Sequence, residues 1–478
     1  MPYRSGDRHQ IFLLPQTIEE FVNEDDPVRV YDAFIDALNQ KELDLRNSYY
    51  RTGNPPYDPM TMVKILVYAY SYGWNSARKI ERALHHNLSF IWLAGGLKPN
   101  FKTIAKFRKD NKHALKNVMK QCARLCLKMD LIEGNCLFVD GTKVRANASI
   151  SQTKTKDGWQ KMLKRVDNRI DEILAECDCL DEKESGSLVK LEKDYKGKQA
   201  LKSKVQSILN EMEEEGLDKL NGTDTDCINT HGRQGSHAGY NVQSVYDEKN
   251  GLMVHVDVVA QQNDQKQFTN QIDQAIEVLE KPCKIAVADA GYANAEGLKG
   301  SLEQGIDVIV PSQRQIVKER HPTKPFDRDK FKYEAERDVY ICPEGHVLTH
   351  RTLNKKRGEH VYRTVPSTCK QCKHFGECTK GQRGREIRRL VDEEVIEHIE
   401  RRYDSEKGKS IYKKRKEIVE YPFGHIKRTL KGGSFLVRGI EAVLGEASIY
   451  GSCFNIARMI TLLGGVRPAV KKMRAMAC

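Results

Sequence analysis

Two sets of side chains in this 478-residue chain have the types and spacing for chemistry. The first is a set of three distant acids. Asp140 and Asp289 close the short apolar runs Cys136–Val139 and Lys284–Ala288, and a glycine follows each within two residues. Such runs read as buried strands, and ligands of α/β sheets gather beyond the carboxyl ends of strands. Two carboxylates on adjacent strand ends can hold Mg2+ and leave positions for phosphate oxygens. Taken singly, each aspartate also reads as a strand-end turn former, which Asp-Gly favours. The third acid, Glu420, stands in the basic stretch 412–428 between Val419 and Tyr421. On a helix, Lys416, Glu420 and Lys427 share a face at offsets of four and seven, and Pro422 is expected to kink it. The pattern suits a carboxylate completing a metal site beside phosphate-binding lysines. It also suits a surface ion-pair ladder, the commoner cause of such a run.

The second set is Cys342, Cys369, Cys372 and Cys378. Four thiolates with one Cys-x-x-Cys, in a polar lysine-rich segment, fit a closed tetrahedral Zn2+ site. His346 and His374 are available as substitute ligands. An iron–sulfur cluster and free thiols are the alternatives. The segment 312–392 shows no evident core of its own, which favours structural zinc. Cys122, Cys126, Cys177, Cys179, Cys227, Cys283 and Cys453 read as small core residues.

These residues need elements to position them. Residues 1–130 read as helical. Asp26-Pro27 and Asp58-Pro59 are start signals, Gly73 is a stop, a further helix runs from about Ser76 to His86, and another follows Pro99. The last carries Lys102, Lys106, Arg108, Lys109 and Lys112. Short helices ending in a basic member suit a helix-turn-helix DNA-binding region, and equally a bundle with a solvated basic face. Residues 155–216 read as a charged helical hairpin turning near Gly186. A strand hairpin (239–246 and 252–259), a helix from Phe268, the strand before Asp289, a helix from Ala295 and the strand 307–310 then make an α/β arrangement with a mixed sheet. A charged helical stretch spans about 391–421, an apolar helix about 440–463, and the basic tail 471–474 is expected to fray. The expected domains are 1–130, a core of 131–311 with 393–440, the polar insertion 312–392, and 441–478.

Lys and Arg number 79 against 66 Asp and Glu, a net charge of +13. That balance argues against a DNA mimic and favours a polyanionic partner, most simply nucleic acid. The odd total of 13 cysteines fits poorly with full disulfide pairing. No apolar run approaches the roughly 18–20 residues of a membrane helix, and the N-terminus has no signal-peptide pattern. The expected location is the cytoplasm, associated with the nucleoid, with no membrane partner.

The chain resembles bacterial insertion-sequence transposases of the DDE class, in the IS4-like group and most similar to the IS1182 family. The resemblance rests on Tyr57-Asp58-Pro59, Thr103-Ile104-Ala105-Lys106-Phe107-Arg108, Val139-Asp140-Gly141-Thr142-Lys143, Gly239-Tyr240-Asn241-Val242-Gln243, Ala288-Asp289-Ala290-Gly291-Tyr292 and Val419-Glu420-Tyr421-Pro422-Phe423-Gly424-His425-Ile426-Lys427. It implies an RNase H-like core with Asp140, Asp289 and Glu420 as the metal-binding triad. It implies two Mg2+ ions, roughly 3.5–4 Å apart, DNA cleavage at element ends, strand transfer, double-stranded DNA (terminal repeats and target) as partner, and a homodimer on DNA. A catalytically inactive DNA-binding descendant and a metal-dependent nuclease of the same fold are the rival functions. The family signature places Tyr, Arg, Glu and Lys at fixed intervals. Counted from Glu420, Lys427 fits, the Arg position falls on Lys416, and Arg415 and Tyr412 are each one residue off. One residue is a rotation of about 100° on a helix, which counts against Arg415 and Tyr412 and makes Lys416 an equal candidate; Lys416, Lys427, Arg415 and Tyr412 are the expected DNA-phosphate contacts.

Overall fold

The computed structural model describes residues 17–46, 55–178, 185–232, 235–321, 324–355 and 357–476, with side chains 177–191 and 232 left aside. Cys179, the side chain of Cys177 and the tip of the 155–216 hairpin therefore lie outside the described residues. The chain divides into two compact units. One comprises residues up to Asn263, Gln274–Pro282 and Glu417 to the C-terminus; the other comprises Asp264–Asp273 and Cys283–Lys416. Helices and mixed sheets make the chain an α/β protein.

In the first unit the helices begin where short polar side chains can cap them. Asp58 accepts the Thr61 N–H at 2.7 Å to start Pro59–Ser71, and Asn100 accepts that of Thr103 at 2.9 Å to start Phe101–Asp110. Gly73 ends the former with φ +66°, against the Leu430 carbonyl 3.0 Å from where a Cβ would stand; only glycine fits there without strain. Arg108 departs from the expected basic face. It is buried, donating to the Tyr70 hydroxyl at 2.9 Å and the Asn75 carbonyl at 2.7 Å, because a buried guanidinium must find acceptors.

The helix Ile440–Leu462 is buried nearly all round, packed on Pro59–Ser71, Lys112–Lys128 and the strand Met253–Val259. Gly445, Ala447, Ser448, Gly451 and Ser452 keep it slim enough for that position. No single helix among the described residues is long and apolar enough to cross a membrane. The basic tail does not fray. It forms the helix Val466–Arg474, burying Ala469 and Met473, with Lys472 donating to the Met129 carbonyl at 3.0 Å. Its apolar residues at spacing four explain the docking.

The first unit's sheet is built on one long strand, Gly235–Asp247. Ile228–Gly232 and Met253–Val259 pair with successive parts of it, and Cys136–Arg145 pairs antiparallel from Leu137↔Asp247 to Arg145↔Gly239. The strand Cys136–Arg145 thus runs six residues beyond its apolar start, because the ladder continues past Gly141. The charged hairpin is the antiparallel pair Lys156–Asp178 and Ser185–Glu214, so Gly186 is helical. Trp159, Val205, Ile208, Met212 and Leu220 form its own small core.

In the second unit the strands Ile285–Val287 and Asp307–Ile309 are parallel, joined through the helix Ala295–Glu303. The region expected to lack a core has one. Five antiparallel strands run in the order Glu386–Leu390, Glu359–Arg363, Val347–Asn354, Val339–Ile341, Lys332–Glu334. They bury Phe331, Tyr340, Leu348, Tyr362 and Ile387, with Cys342 and Cys378 packed against that cluster. Alternation of apolar with charged residues hid these strands in an average composition. Buried Glu393 accepts from Arg314 at 2.7 Å and Arg328 at 2.8 Å, fixing the helix Glu393–Asp404. The charged stretch is therefore two helices, broken at Ser405, and the second is Glu406–Arg428.

Candidate active site

Asp140 sits in mid-strand rather than at a strand end. It is the fifth residue of Cys136–Arg145, half-buried and opposite Ser244. Thr142, two residues on, points to the same face of the strand. Lys427 reaches this face. Its Nζ donates to the Thr142 Oγ1 at 2.5 Å and to the Lys143 carbonyl at 3.3 Å. Burial pulls the Lys427 ammonium below its ordinary pKa, and the Asp140 charge pushes it back up. Phe423, one helical turn earlier, packs edge-on against Tyr246 at 5.9 Å, and Tyr246 lies opposite Phe138 in the ladder. These two anchors lay the end of the Glu406–Arg428 helix along the Asp140 strand. Glu420 is exposed on that helix, three and seven residues before the anchors and so on their face. Pro422 is inside the helix and buried. Val419, at the position the family register gives the acid when counted from Arg415, is fully buried.

Asp289 belongs to the other unit. It follows the strand Ile285–Val287 and caps the short turn Ala290–Tyr292, accepting the Gly291 N–H at 2.8 Å. The turn-forming reading therefore holds. Its carboxylate, 43% exposed, also faces Arg415, 16% exposed, at 3.6 Å. Lys416 is exposed. Tyr412 packs edge-on against Tyr403, with ring centroids 5.1 Å apart. Of the two cations in question, Arg415 rather than Lys416 is the one paired with a candidate catalytic acid. Thr142 and Tyr246, the receptors for the helix, were missed in the sequence. Their one signal was spacing: Thr142 follows Asp140 by two residues.

The thiols Cys342, Cys369, Cys372 and Cys378 line one cavity of about 30 Å3 together with Phe326, Phe331 and Arg385. His374 is committed elsewhere, its Nε2 at 3.2 Å from Glu344 and its Nδ1 at 3.1 Å from Glu377. Among the described residues, no three His, Cys, Asp or Glu side chains are gathered closely enough to hold a metal ion as placed. Cys122, Cys126, Cys283 and Cys453 are buried, as small core residues should be, and Cys227 is half-buried.

Comparison with known families adds the class. Residues 16–110 match a family described as Transposase domain (DUF772), and residues 341–460 match one described as Transposase DDE domain. Together they support an insertion-sequence DDE transposase, a DNA-cutting and DNA-transferring enzyme of a class that generally uses divalent metals such as Mg2+. The second match takes in Glu420, Lys427 and all four cavity-lining cysteines. No curated protein matches the chain.

Proposed function

We propose that the chain is a transposase with an RNase H-like core, most similar to the IS1182 family, that cleaves DNA at the ends of an insertion sequence and joins them to a target. The reading is carried by one observation: the helix bearing Glu420, inside the DDE match, is bonded through Lys427 to the strand bearing Asp140. In this reading residues 1–130 bind the element's terminal repeats, 131–311 with 393–440 form the catalytic core, 312–392 is an insertion, and 441–478 closes the fold. The protein works as a homodimer on double-stranded DNA at the nucleoid.

The donor set fits Mg2+. Asp140, Asp289 and Glu420 offer only hard carboxylate oxygens, and all three are at least partly exposed. When bound, the metal ions activate the attacking oxygen and neutralise charge on the leaving one. The protein's part is position and charge. Lys427 holds the Glu420 helix to the Asp140 strand, Arg415 orients the Asp289 carboxylate, and exposed Lys416 is free to meet a DNA phosphate. Lys427 thus serves in positioning rather than as a direct phosphate contact. Tyr412 backs the helix next to Arg415. A plasmid carrying a short element between its inverted repeats tests the reading. Excision and joining that require the protein and Mg2+ are expected; protein that shifts the DNA without ever cutting it would overturn it.

A further inference from the structure

The thiol cavity is not used by this chemistry, and backbone amides are directed at two of its sulfurs. Cys342-Pro343-Glu344-Gly345-His346 forms a tight turn in which the Gly345 N–H donates to the Cys342 carbonyl at 2.9 Å. Gly345 takes φ +78°, a conformation suited to glycine. The turn aims the His346 N–H at the Cys342 Sγ, 3.3 Å away. A second backbone donor, the Arg385 N–H, meets the Cys369 Sγ at the same distance, 3.3 Å. Amides directed at sulfur stabilise the thiolate over the thiol, since hydrogen bonds to the charged form favour it. Cys378 has the cationic Arg385 beside it: the guanidinium donates to the Cys378 carbonyl at 3.1 Å and to the Phe326 carbonyl at 2.9 Å. All four thiols line the same small cavity.

We propose that Cys342, Cys369, Cys372 and Cys378 bind one thiophilic d10 cation, Zn2+, as a structural clasp. His374 is held between two glutamates, and four thiols complete a tetrahedral set without His346. The clasp joins the turn after the strand Val339–Ile341 to the helix Pro366–Gln371 and to the loop before Glu386–Leu390. Side-chain rotation from staggered wells closes the thiols on the ion, and each cysteine bound as thiol releases its proton to solvent. No redox partner is required. The inference does not depend on the chain being a transposase.

Elemental analysis of the full-length protein, purified without added chelator, tests it. About one zinc per chain is expected, falling to background in the Cys369→Ser, Cys372→Ser double variant but not in Cys227→Ser. Cobalt substitution should give the intense thiolate-to-metal absorption of a tetrahedral sulfur site. To separate metal loss from misfolding of the double variant, thiol labelling of the wild type is read as well: zinc should shield four cysteines that a chelator exposes. Protein without zinc that labels identically in either condition would overturn the proposal, as would iron with labile sulfide and a visible chromophore.

Discussion

The Asp140 strand and the cysteine-bearing sheet position their candidate side chains over very different chain distances. At the strand, the anchor runs from Lys427 to Thr142, 285 residues apart. At the thiols, the ordering bonds run from His346 to Cys342 and from Arg385 to Cys369, four and sixteen residues apart. The strand lies in a large sheet backed by an almost wholly buried helix, whereas the five-stranded sheet rests on a cluster of five buried residues. The first region therefore depends on tertiary packing to bring hard oxygen donors to bear. The second needs mainly local turns, and its thin core leaves room for a metal clasp to add stability.

The largest effect belongs to Asp140→Ala. We expect Mg2+-dependent cleavage to fall by roughly 10^3-fold or more, the scale on which a principal charge-stabilising group acts, with DNA affinity retained in a mobility-shift assay. Leu348→Ala empties the centre of the small sheet's core, where Leu348 is fully buried. Denaturant unfolding should show a loss of about 2–5 kcal/mol. A loss under about 0.5 kcal/mol, the level of a neutral surface change, would mean that the sheet does not rely on that core.

A third effect is pH-dependent and lies in the large sheet. Burial lowers the His255 imidazole from 6.5 to about 4; the Asp257 charge opposes this and Lys116 adds to it. The folded state therefore binds the proton less readily than the unfolded chain. Stability from this residue is complete above about pH 6.5 and drains as pH falls toward 4, by roughly 3 kcal/mol at 1.36 kcal/mol per pKa unit. His255→Asn should flatten that slope in urea titrations at several pH values. The smallest effect is Lys427→Met, which leaves the Thr142 hydroxyl and the Lys143 carbonyl without this donor. A destabilisation of about 1–3 kcal/mol is expected, with cleavage reduced more than DNA binding. Equal reduction of both would place Lys427 on the DNA instead.

Legibility followed the same division. The Asp58 cap and the strand before Asp289 were readable because their signals are local. The full length of the Asp140 strand was not, since residues 141–145 gain strand character only from pairing with 239–243. The burial of Arg108 was hidden because its acceptors, Tyr70 and Asn75, are more than thirty residues away. The docking of the C-terminal tail was masked by its lysines. The core of the 312–392 region escaped notice because its strands bury at most two residues each, such as Leu348 and Ile387, among charged neighbours, which does not raise mean hydropathy. Arg415 and Lys416 could not be separated by motif spacing; the 3.6 Å approach of Arg415 to Asp289 separates them.

Under the proposed function Glu420, and not merely any acid on its helix, is the third carboxylate. Glu417 is the natural control, since it is also exposed and lies one turn earlier on the same helix. Cleavage of DNA bearing the element's ends, followed in Mg2+ with Glu420→Gln and Glu417→Gln side by side, tests this most directly. No detectable cutting by Glu420→Gln and near wild-type cutting by Glu417→Gln are expected; cutting by Glu420→Gln at the wild-type rate would remove Glu420 from the catalytic set.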